Sequence, residues 1–232
     1  MSRNEALAAY EKLPLPDTTE EHWRFTDLRG FDPDTFEGAA SAEIETMLDL
    51  DVAAFATVTA DGIEIEKEAP EGIVFAPLPE EHERLYSLVG WDEKFAAHNA
   101  ALWKHGLLVV VPKGVELEKP LYVRISATGQ TFWRLVVVAE EGARASLIEE
   151  YASPSPDTEA YSNAVTELFV EPAAKLEYVS LQNLSQETWH FATHHARVER
   201  DAELDWVAGG FGSKKGKTRI QNDLTGVARP RG

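Results

Sequence analysis

Three of the seven histidines of the chain lie close together in the stretch TWHFATHHARV, residues 188–198. His190 and His194 are four residues apart, and His195 follows directly. On an α-helix, side chains four residues apart share a face, and two imidazoles there can bind one metal ion. On a β-strand the same spacing separates the two side chains by about 13 Å, which is too far for one ion. The chemistry of this stretch therefore depends on the element that contains it.

A repeat in the second half of the chain indicates that element. After Gly106, strand-like runs rich in valine and aromatic residues follow one another. Four pieces share a charged residue, a small or turn-forming residue and then alternating small or apolar positions: KGVELEKPL from Lys113, EGARASLIE from Glu141, EPAAKLEYV from Glu171 and ERDAELDWV from Glu199. Equivalent places, separated by 28, 31 and 28 residues, are held by Val115, Ala143, Ala174 and Ala202. The unit is strand, turn, strand, with a period of about 30 residues.

Such a unit has too little core of its own and must stack on its neighbours, which predicts a β-solenoid, with a two-sheet antiparallel sandwich as the alternative. In this architecture His190 and His194 lie on one face of a strand, too far apart to share a metal ion, and His195 points the other way. A metal site would need a ligand from a neighbouring coil, such as Asn163 or Glu167. We therefore expect structural, hydrogen-bonded histidines.

The other charged motifs also predict no reaction centre. The adjacent pairs 140–141 and 149–150 are all glutamate, and we interpret both pairs as solvated turn charges, since strand neighbours face opposite ways. GGFGSKKGKTR, residues 209–219, lacks the spacing of a phosphate-binding loop and its following helix. We expect a long exposed turn there, whose basic charge could mark a contact surface. We assign no catalytic, cofactor-binding or metal-binding residue.

Composition excludes several functional classes. The formal net charge is −18, from 40 acidic and 22 basic residues, which argues against nucleic acid or an anionic membrane as partner. The chain has no cysteine, so it supplies no disulfide, no thiolate nucleophile and no cysteine-ligated metal. The sequence shows no signal peptide and no apolar run of about 20 residues. We expect a cytoplasmic protein.

The first part of the chain has a different sequence pattern, with helical rather than strand-like periodicity. Residues 1–104 are predicted to form a mixed, mostly helical N-terminal domain, and residues 105–232 an incomplete core domain. Helices are predicted over four ranges, namely 3–12, 41–50 with Ser41 as N-cap, 79–89 and 92–104. A hairpin is predicted over 52–66, turning at Asp61-Gly62.

Three segments resemble a known family. EEHWRFTDLRGF (20–31) is similar to the N-terminal signature of the SufB/SufD family, through Trp23, Arg24, Phe25, Thr26 and Asp27. The stretch 98–123, which includes Asn99-Ala100-Ala101 and Val111-Pro112-Lys113-Gly114-Val115, resembles the entry into the family's core domain, and 183–226 resembles one of its core repeats. The resemblance covers residues 10–226 and is closest to the SufD branch.

This resemblance implies a right-handed parallel β-helix behind an N-terminal domain. It further implies a non-catalytic scaffold subunit of the SUF iron–sulfur cluster assembly complex, with a SufB-like subunit and a SufC-like ATPase as partners. The cluster would form on the parent complex, and no cofactor would be bound by this chain alone. The missing cysteines fit that role, because cluster iron is usually bound by cysteine sulfur.

Family members continue beyond the point where this sequence ends. IQNDLTG (220–226) is predicted to be the first strand of a coil without its second strand, and VARPRG (227–232) does not look like a capping repeat. We expect a C-terminally truncated product, with the family's functional histidine and its subunit-pairing strands outside this sequence. Two alternatives are a polysaccharide-cleaving β-helix enzyme and a β-solenoid module that binds another protein partner.

Overall fold

The computed structural model of the protein describes residues 2–45 and 48–226. Its helices are α1 (Arg3–Lys12) and α2 (Lys94–Leu102), with 3₁₀ turns at Glu21–Trp23 and Pro33–Thr35. The strands are β1 (Ala54–Thr59), β2 (Gly62–Lys67), β3 (Val74–Pro77), β4 (His105–Val111), β5 (Leu121–Ser126), β6 (Gly129–Ala139), β7 (Arg144–Ala152), β8 (Ala160–Val170), β9 (Lys175–Asn183), β10 (Thr188–Glu199), β11 (Glu203–Gly212) and β12 (Lys215–Thr225).

The strands form two sheets that the chain visits in turn. Sheet A has the order β12-β10-β8-β6-β4-β3, and sheet B the order β11-β9-β7-β5-β1-β2. All pairings among β4 to β12 are parallel. Successive strands alternate between the sheets, which makes a β-solenoid of about four turns. The solenoid prediction is confirmed, and the antiparallel sandwich is wrong for these strands.

The repeat of about 30 residues corresponds to the stacking of coils. The carbonyls of Val115, Ala143 and Ala174 accept hydrogen bonds from the backbone amides of the next coil, at 2.8, 2.8 and 2.9 Å, from Arg144, Lys175 and Glu203 respectively. The positions that are equivalent in sequence are therefore neighbours in space.

Each coil also has the same left-handed turn. Hydrogen bonds from the fourth residue to the first close turns at 112–115, 140–143, 171–174 and 199–202. The third residue of each has a positive φ, with values of 70° at Gly114, 71° at Gly142, 59° at Ala173 and 59° at Asp201. Glycine adopts this conformation without strain, whereas alanine and aspartate do so at some cost.

The helical part of the N-terminal prediction is only partly right. Helix α1 coincides with the predicted range 3–12 and begins with a capping box at Ser2, α2 lies inside 92–104, and the hairpin is formed by β1 and β2. These two are the only α-helices among the described residues. A mostly helical N-terminal domain is therefore not what the structure shows.

The range 41–50 is not helical in its described residues, 41–45 and 48–50. Ser41, the predicted N-cap, instead donates to the Thr59 hydroxyl at 3.2 Å and accepts from the Asp61 amide at 3.2 Å. Ala42 accepts a hydrogen bond from the Ser126 hydroxyl at 2.8 Å. These tertiary contacts with the hairpin and β5 hold the segment extended.

The range 79–89 forms turns rather than a helix. The backbone amides of Tyr86, Leu88 and Val89 donate to the buried Glu167 carboxylate at 3.0, 2.8 and 3.2 Å. In a helix these amides would donate to carbonyls of the same helix. Here they donate to the Glu167 carboxylate instead, so the segment does not form a helix.

The predicted turn at 209–219 is also wrong. Strand β11 runs to Gly212 and β12 begins at Lys215, so only 213–214 connect them. A Cβ on residue 212 would lie 2.4 Å from the Leu184 carbonyl oxygen. This glycine thus permits close approach of two backbones within the sheet.

Strands from before residue 105 complete one end of the solenoid. In sheet B, β1 pairs in parallel with β5, and in sheet A, β3 pairs antiparallel with β4. The division of the chain at residues 104 and 105 and the right-handed sense of the coil stay predictions. No helix among the described residues is long and apolar enough to cross a membrane.

Candidate functional site

The histidine-rich stretch lies in strand β10, as the repeat predicts. Even-numbered side chains of β10 point between the sheets, where Ala192 and Ala196 belong to the main core. His190 and His194 share that parity and are 4% and 1% exposed. His195 has the opposite parity, and its Nδ1 lies 2.9 Å from the Leu88 carbonyl oxygen on the outside of sheet A. The predicted orientations are confirmed.

Both inward histidines contact hydroxyl groups. His190 Nδ1 lies 3.0 Å from Ser162 Oγ, and His194 Nδ1 lies 3.5 Å from the Tyr178 hydroxyl. Burial lowers the pKa of His190 to about 4. Burial, together with the neighbouring His190, lowers the pKa of His194 to about 3. Both imidazoles are therefore neutral at pH 7.

Glu149 is the centre of the polar groups inside the solenoid. It is fully buried, so its interpretation as a solvated turn charge is wrong. It lies on β7 at the same parity as the inward residues Ala145, Leu147 and Tyr151. The alternation visible in RASLIEEYA is the sequence signal that places the glutamate between the sheets.

Four donors surround the Glu149 carboxyl group. Oε1 accepts from Trp133 Nε1 at 2.5 Å and from the Tyr151 hydroxyl at 2.7 Å. Oε2 accepts from the Tyr178 hydroxyl and, at 3.4 Å, from Thr166 Oγ1. Two carboxylate oxygens provide about four lone-pair positions, so the hydrogen-bonding capacity of the group is filled.

We name the inner polar cluster by its six members: Glu149, Tyr151, Thr166, Tyr178, His190 and His194. Burial raises the pKa of Glu149, although hydrogen bonds from the tyrosines, Trp133 and Thr166 act in the opposite direction. Burial and the neighbouring Glu149 charge raise the pKa of both tyrosines well above the ordinary value. The cluster can thus retain a proton inside the solenoid, where a carboxyl group, phenols and neutral imidazoles are in contact.

The other adjacent glutamates lie in two different settings. Glu150 has the opposite parity to its neighbour, is fully buried on the outer side of sheet B, and accepts from the Tyr122 hydroxyl. It too is therefore not a solvated turn charge. Glu140 and Glu141 do lie at a turn, where they contact the Lys113 amide at 2.9 Å and its ammonium at 2.8 Å.

A second polar group joins the N-terminal region to the outside of sheet A. Arg134 and Glu167 form an ion pair at 3.1 Å, each 1% exposed at its side chain. Asn99 of α2 accepts from Arg134 Nε at 2.8 Å and donates to the carbonyls of Trp133 and Asn163 at 3.1 and 2.9 Å. The Asn-Ala-Ala motif thus holds α2 against two coils.

The two residues considered as metal ligands are occupied by this interface. Asn163 donates to the Phe95 carbonyl at 2.9 Å and to the Tyr161 hydroxyl at 2.8 Å. Glu167 lies opposite His195 in the register of β8 and β10, but its oxygens accept from Arg134 and three backbone amides. Within residues 2–45 and 48–226, no group of three or more His, Asp or Glu side chains is arranged to hold a metal ion.

Aromatic side chains complete the same interface. Phe31, from the segment 20–31, packs on the outward residues Trp189 and Phe191 of β10, with ring centroids 5.0 and 5.2 Å apart. Trp23 packs on Phe191 at 5.9 Å. Phe191 also stacks on Phe95 of α2 at 4.1 Å. The outward aromatics of β10 are therefore packing residues, and the N-terminal motif is part of the contact.

Known proteins are similar in sequence to the solenoid part of this chain. Residues 123–228 match the family model described as "SUF system FeS cluster assembly, SufBD core domain". Iron–sulfur cluster assembly SufBD family proteins of Staphylococcus haemolyticus, Staphylococcus epidermidis and Staphylococcus aureus are 33%, 34% and 33% identical to the chain over 163 residues. The aligned region covers 65% of this chain and 35% of each relative.

The chain therefore spans about a third of the length of the curated relatives that it matches. The match includes strands β6 to β12 in full and with them the inner polar cluster. The chain is thus similar to the SufBD core domain over residues 123–228 and to SufBD family proteins over 65% of its length.

Proposed function

We propose that this chain acts as a SufD-like scaffold subunit in SUF-type iron–sulfur cluster assembly in the cytoplasm. The observation that carries the proposal is the SufBD core domain match over residues 123–228, which falls on the stacked coils of the solenoid. Relatives whose names describe iron–sulfur cluster assembly support a role in that system. The resemblance over residues 10–226 as a whole and the absence of cysteine favour the SufD branch.

The proposed partners are a SufB-like subunit and a SufC-like ATPase, with this chain as a non-catalytic member. Cluster iron usually needs cysteine thiolates, and this sequence contains none. A cluster would therefore be built on the parent complex with ligands from the partner. The buried carboxyl groups of Glu149 and Glu167 are bonded within the fold, which supports a structural role for them over a sugar-cleaving one.

Co-purification tests the proposed partners. The chain with an affinity tag is co-expressed with SufB-like and SufC-like proteins from the same source, together and singly. We expect the SufB-like subunit to elute in a defined ratio with a longer version of the protein that includes the family's subunit-pairing strands, and in a lower yield with the 232-residue chain. The control is a variant with Trp23→Ala and Phe31→Ser, which loosens the aromatic interface and should lower the yield of complex.

Two outcomes would contradict the proposal. If neither partner elutes with the longer version either, the proposed SufD-like scaffold role is wrong. If the purified chain alone releases reducing sugar from polysaccharides, the enzyme alternative replaces it. Reconstitution with iron and sulfide, followed by absorbance near the cluster bands, then distinguishes a complex that builds clusters from one that only assembles.

A further inference from the structure

Two buried nitrogen atoms inside the solenoid lack a hydrogen-bond partner among the described residues. They are Nε2 of His194 on β10 and Nε1 of Trp206 on β11. His194 is 1% exposed, and the two ring centroids lie 5.5 Å apart at an interplanar angle of 40°. Buried polar atoms in native proteins are nearly always hydrogen-bonded, so a pair of unpartnered atoms at one place indicates a shared ligand.

The contacts of Tyr178 determine which nitrogen of His194 has the proton. The Tyr178 hydroxyl donates its hydrogen to Glu149, so its oxygen is free to accept from the imidazole. His194 Nδ1, at 3.5 Å, is then the protonated nitrogen, and Nε2 has a free lone pair. Trp206 Nε1 is a donor only, so one of the two atoms needs a donor and the other an acceptor.

We propose that His194 Nε2 and Trp206 Nε1 bind one small neutral molecule of water size between the sheets. The molecule donates one hydrogen to the imidazole and accepts one from the indole, which water does. The centroids of the two rings lie 5.5 Å apart, so both rings border the same place between the sheets.

Charge excludes the other small ligands at this position. An anion would face the lone pair of His194 and the nearby Glu149 carboxyl group, and a cation would face the indole N–H. A neutral molecule satisfies both atoms without burying a charge. The result is a continuous line of hydrogen bonds from Glu149 through Tyr178 and His194 to the ligand and Trp206. This inference is independent of the partners proposed above.

Protein–water NMR tests the site with water itself as the probe. Protein labelled with ¹⁵N on histidine and tryptophan is measured at pH 7. We expect a nuclear Overhauser cross peak with the sign of a long-lived water at the Trp206 indole proton, and an unprotonated, hydrogen-bonded Nε2 for His194. Absence of that cross peak, or a proton on Nε2, would overturn the proposal without any variant.

A matched pair of variants locates the ligand. Trp206→Phe removes the indole donor, and we expect the ¹⁵N resonance of His194 Nε2 to shift toward its non-bonded position. Trp189→Phe removes an indole from the outer side of β10 and should leave that resonance unchanged. If Trp206→Phe leaves it unchanged as well, the indole is not a partner of the ligand and the proposed geometry is wrong.

Discussion

At the scale of single residues, the most unusual feature is a carboxyl group enclosed by four hydrogen-bond donors within an apolar core. Enclosure disfavours the ionised form of Glu149 and raises its pKa, whereas the four donors favour ionisation. The neutral histidines beside it respond to pH in the opposite sense, since burial lowers their pKa values. The two kinds of group therefore predict separate pH effects on stability.

Glu149→Gln tests the first effect. Because folding raises the pKa of Glu149, the group stabilises the fold most below its ordinary value of 4.5 and contributes less as the pH rises through the folded pKa. Glutamine does not titrate, so the stability difference between wild type and variant should be largest near pH 4 and should shrink toward pH 7. The decrease should be about 1.4 kcal/mol for each pH unit between the unfolded and the folded pKa. Urea unfolding over this pH range measures it.

The control for that experiment is the exposed turn residue Glu141, changed to glutamine, which should give a difference that is small at every pH. A wild-type advantage that grows with pH would contradict the assignment. It would mean that the four donors outweigh burial and hold the carboxylate ionised.

His194→Gln tests the second effect. The pKa of His194 is lowered from 6.5 to about 3, so its contribution to stability is complete above pH 6.5 and is lost as the pH falls. The wild type should lose on the order of 1.4 kcal/mol per pH unit below 6.5 through this residue, and the variant should not. Thermal unfolding between pH 7 and 4.5 should therefore show the two curves converging. The curve for the control His22→Gln, at an exposed position, should stay parallel to the wild-type curve.

At the scale of elements, the Asn99 side chain is one of the groups that hold α2 against the solenoid. Asn99 is 0% exposed and makes three hydrogen bonds that reach two coils. Asn99→Ala leaves the Arg134 guanidinium and two carbonyls without that partner and should cost about 2–4 kcal/mol. Urea unfolding measures the loss, and Asn183→Ala, at an exposed position, is the control. Equal effects of the two changes would contradict a clamping role.

The stacked left-handed turns predict a substitution that raises the stability of the fold. Ala173 has a φ of 59°, a conformation that costs an L-residue roughly 1–2 kcal/mol and glycine little. Ala173→Gly should raise the stability by about 0.5–1 kcal/mol after the extra chain entropy of glycine is subtracted. Ala202→Gly, at the next turn but not at its left-handed position, should lower the stability. A rise in melting temperature for the first and a fall for the second is the expected pair.

At the scale of the whole molecule, β12 is the outermost strand of sheet A among the described residues, and two of its apolar side chains are exposed. Leu224 is 78% and Ile220 45% exposed, and an open edge can pair with another chain. Leu224→Lys should reduce association at high concentration, with a change in stability within about 0.5 kcal/mol. Light scattering over a concentration series measures this. Leu7→Lys, on α1, should leave association unchanged, and a similar drop for both would contradict a role of the edge.

The parts of this fold that the sequence could predict are those set by periodicity. The repeat of about 30 residues determines the coils, and alternation along β10 gives the directions of His190, His194 and His195. The failures are places where a distant partner outweighs local preference. Ser41 bonds to the hairpin, and the amides of Tyr86, Leu88 and Val89 bond to Glu167, so neither range forms its predicted helix. Glu149 is predicted at a solvated turn because the prediction gives more importance to its charge than to its inward-facing position in β7.

The corner between β7 and β8 explains why one coil is longer than its neighbours. The second separation in the repeat is 31 residues rather than 28, and residues 153–159 make up this corner, compared with 184–187 at the next one. The three additional residues therefore lie outside both sheets, and residues 155–157 are exposed. Chain length can change at this corner without shifting the parity of any strand. A reporter peptide or a dye can therefore be attached at this corner while every inward side chain keeps its position.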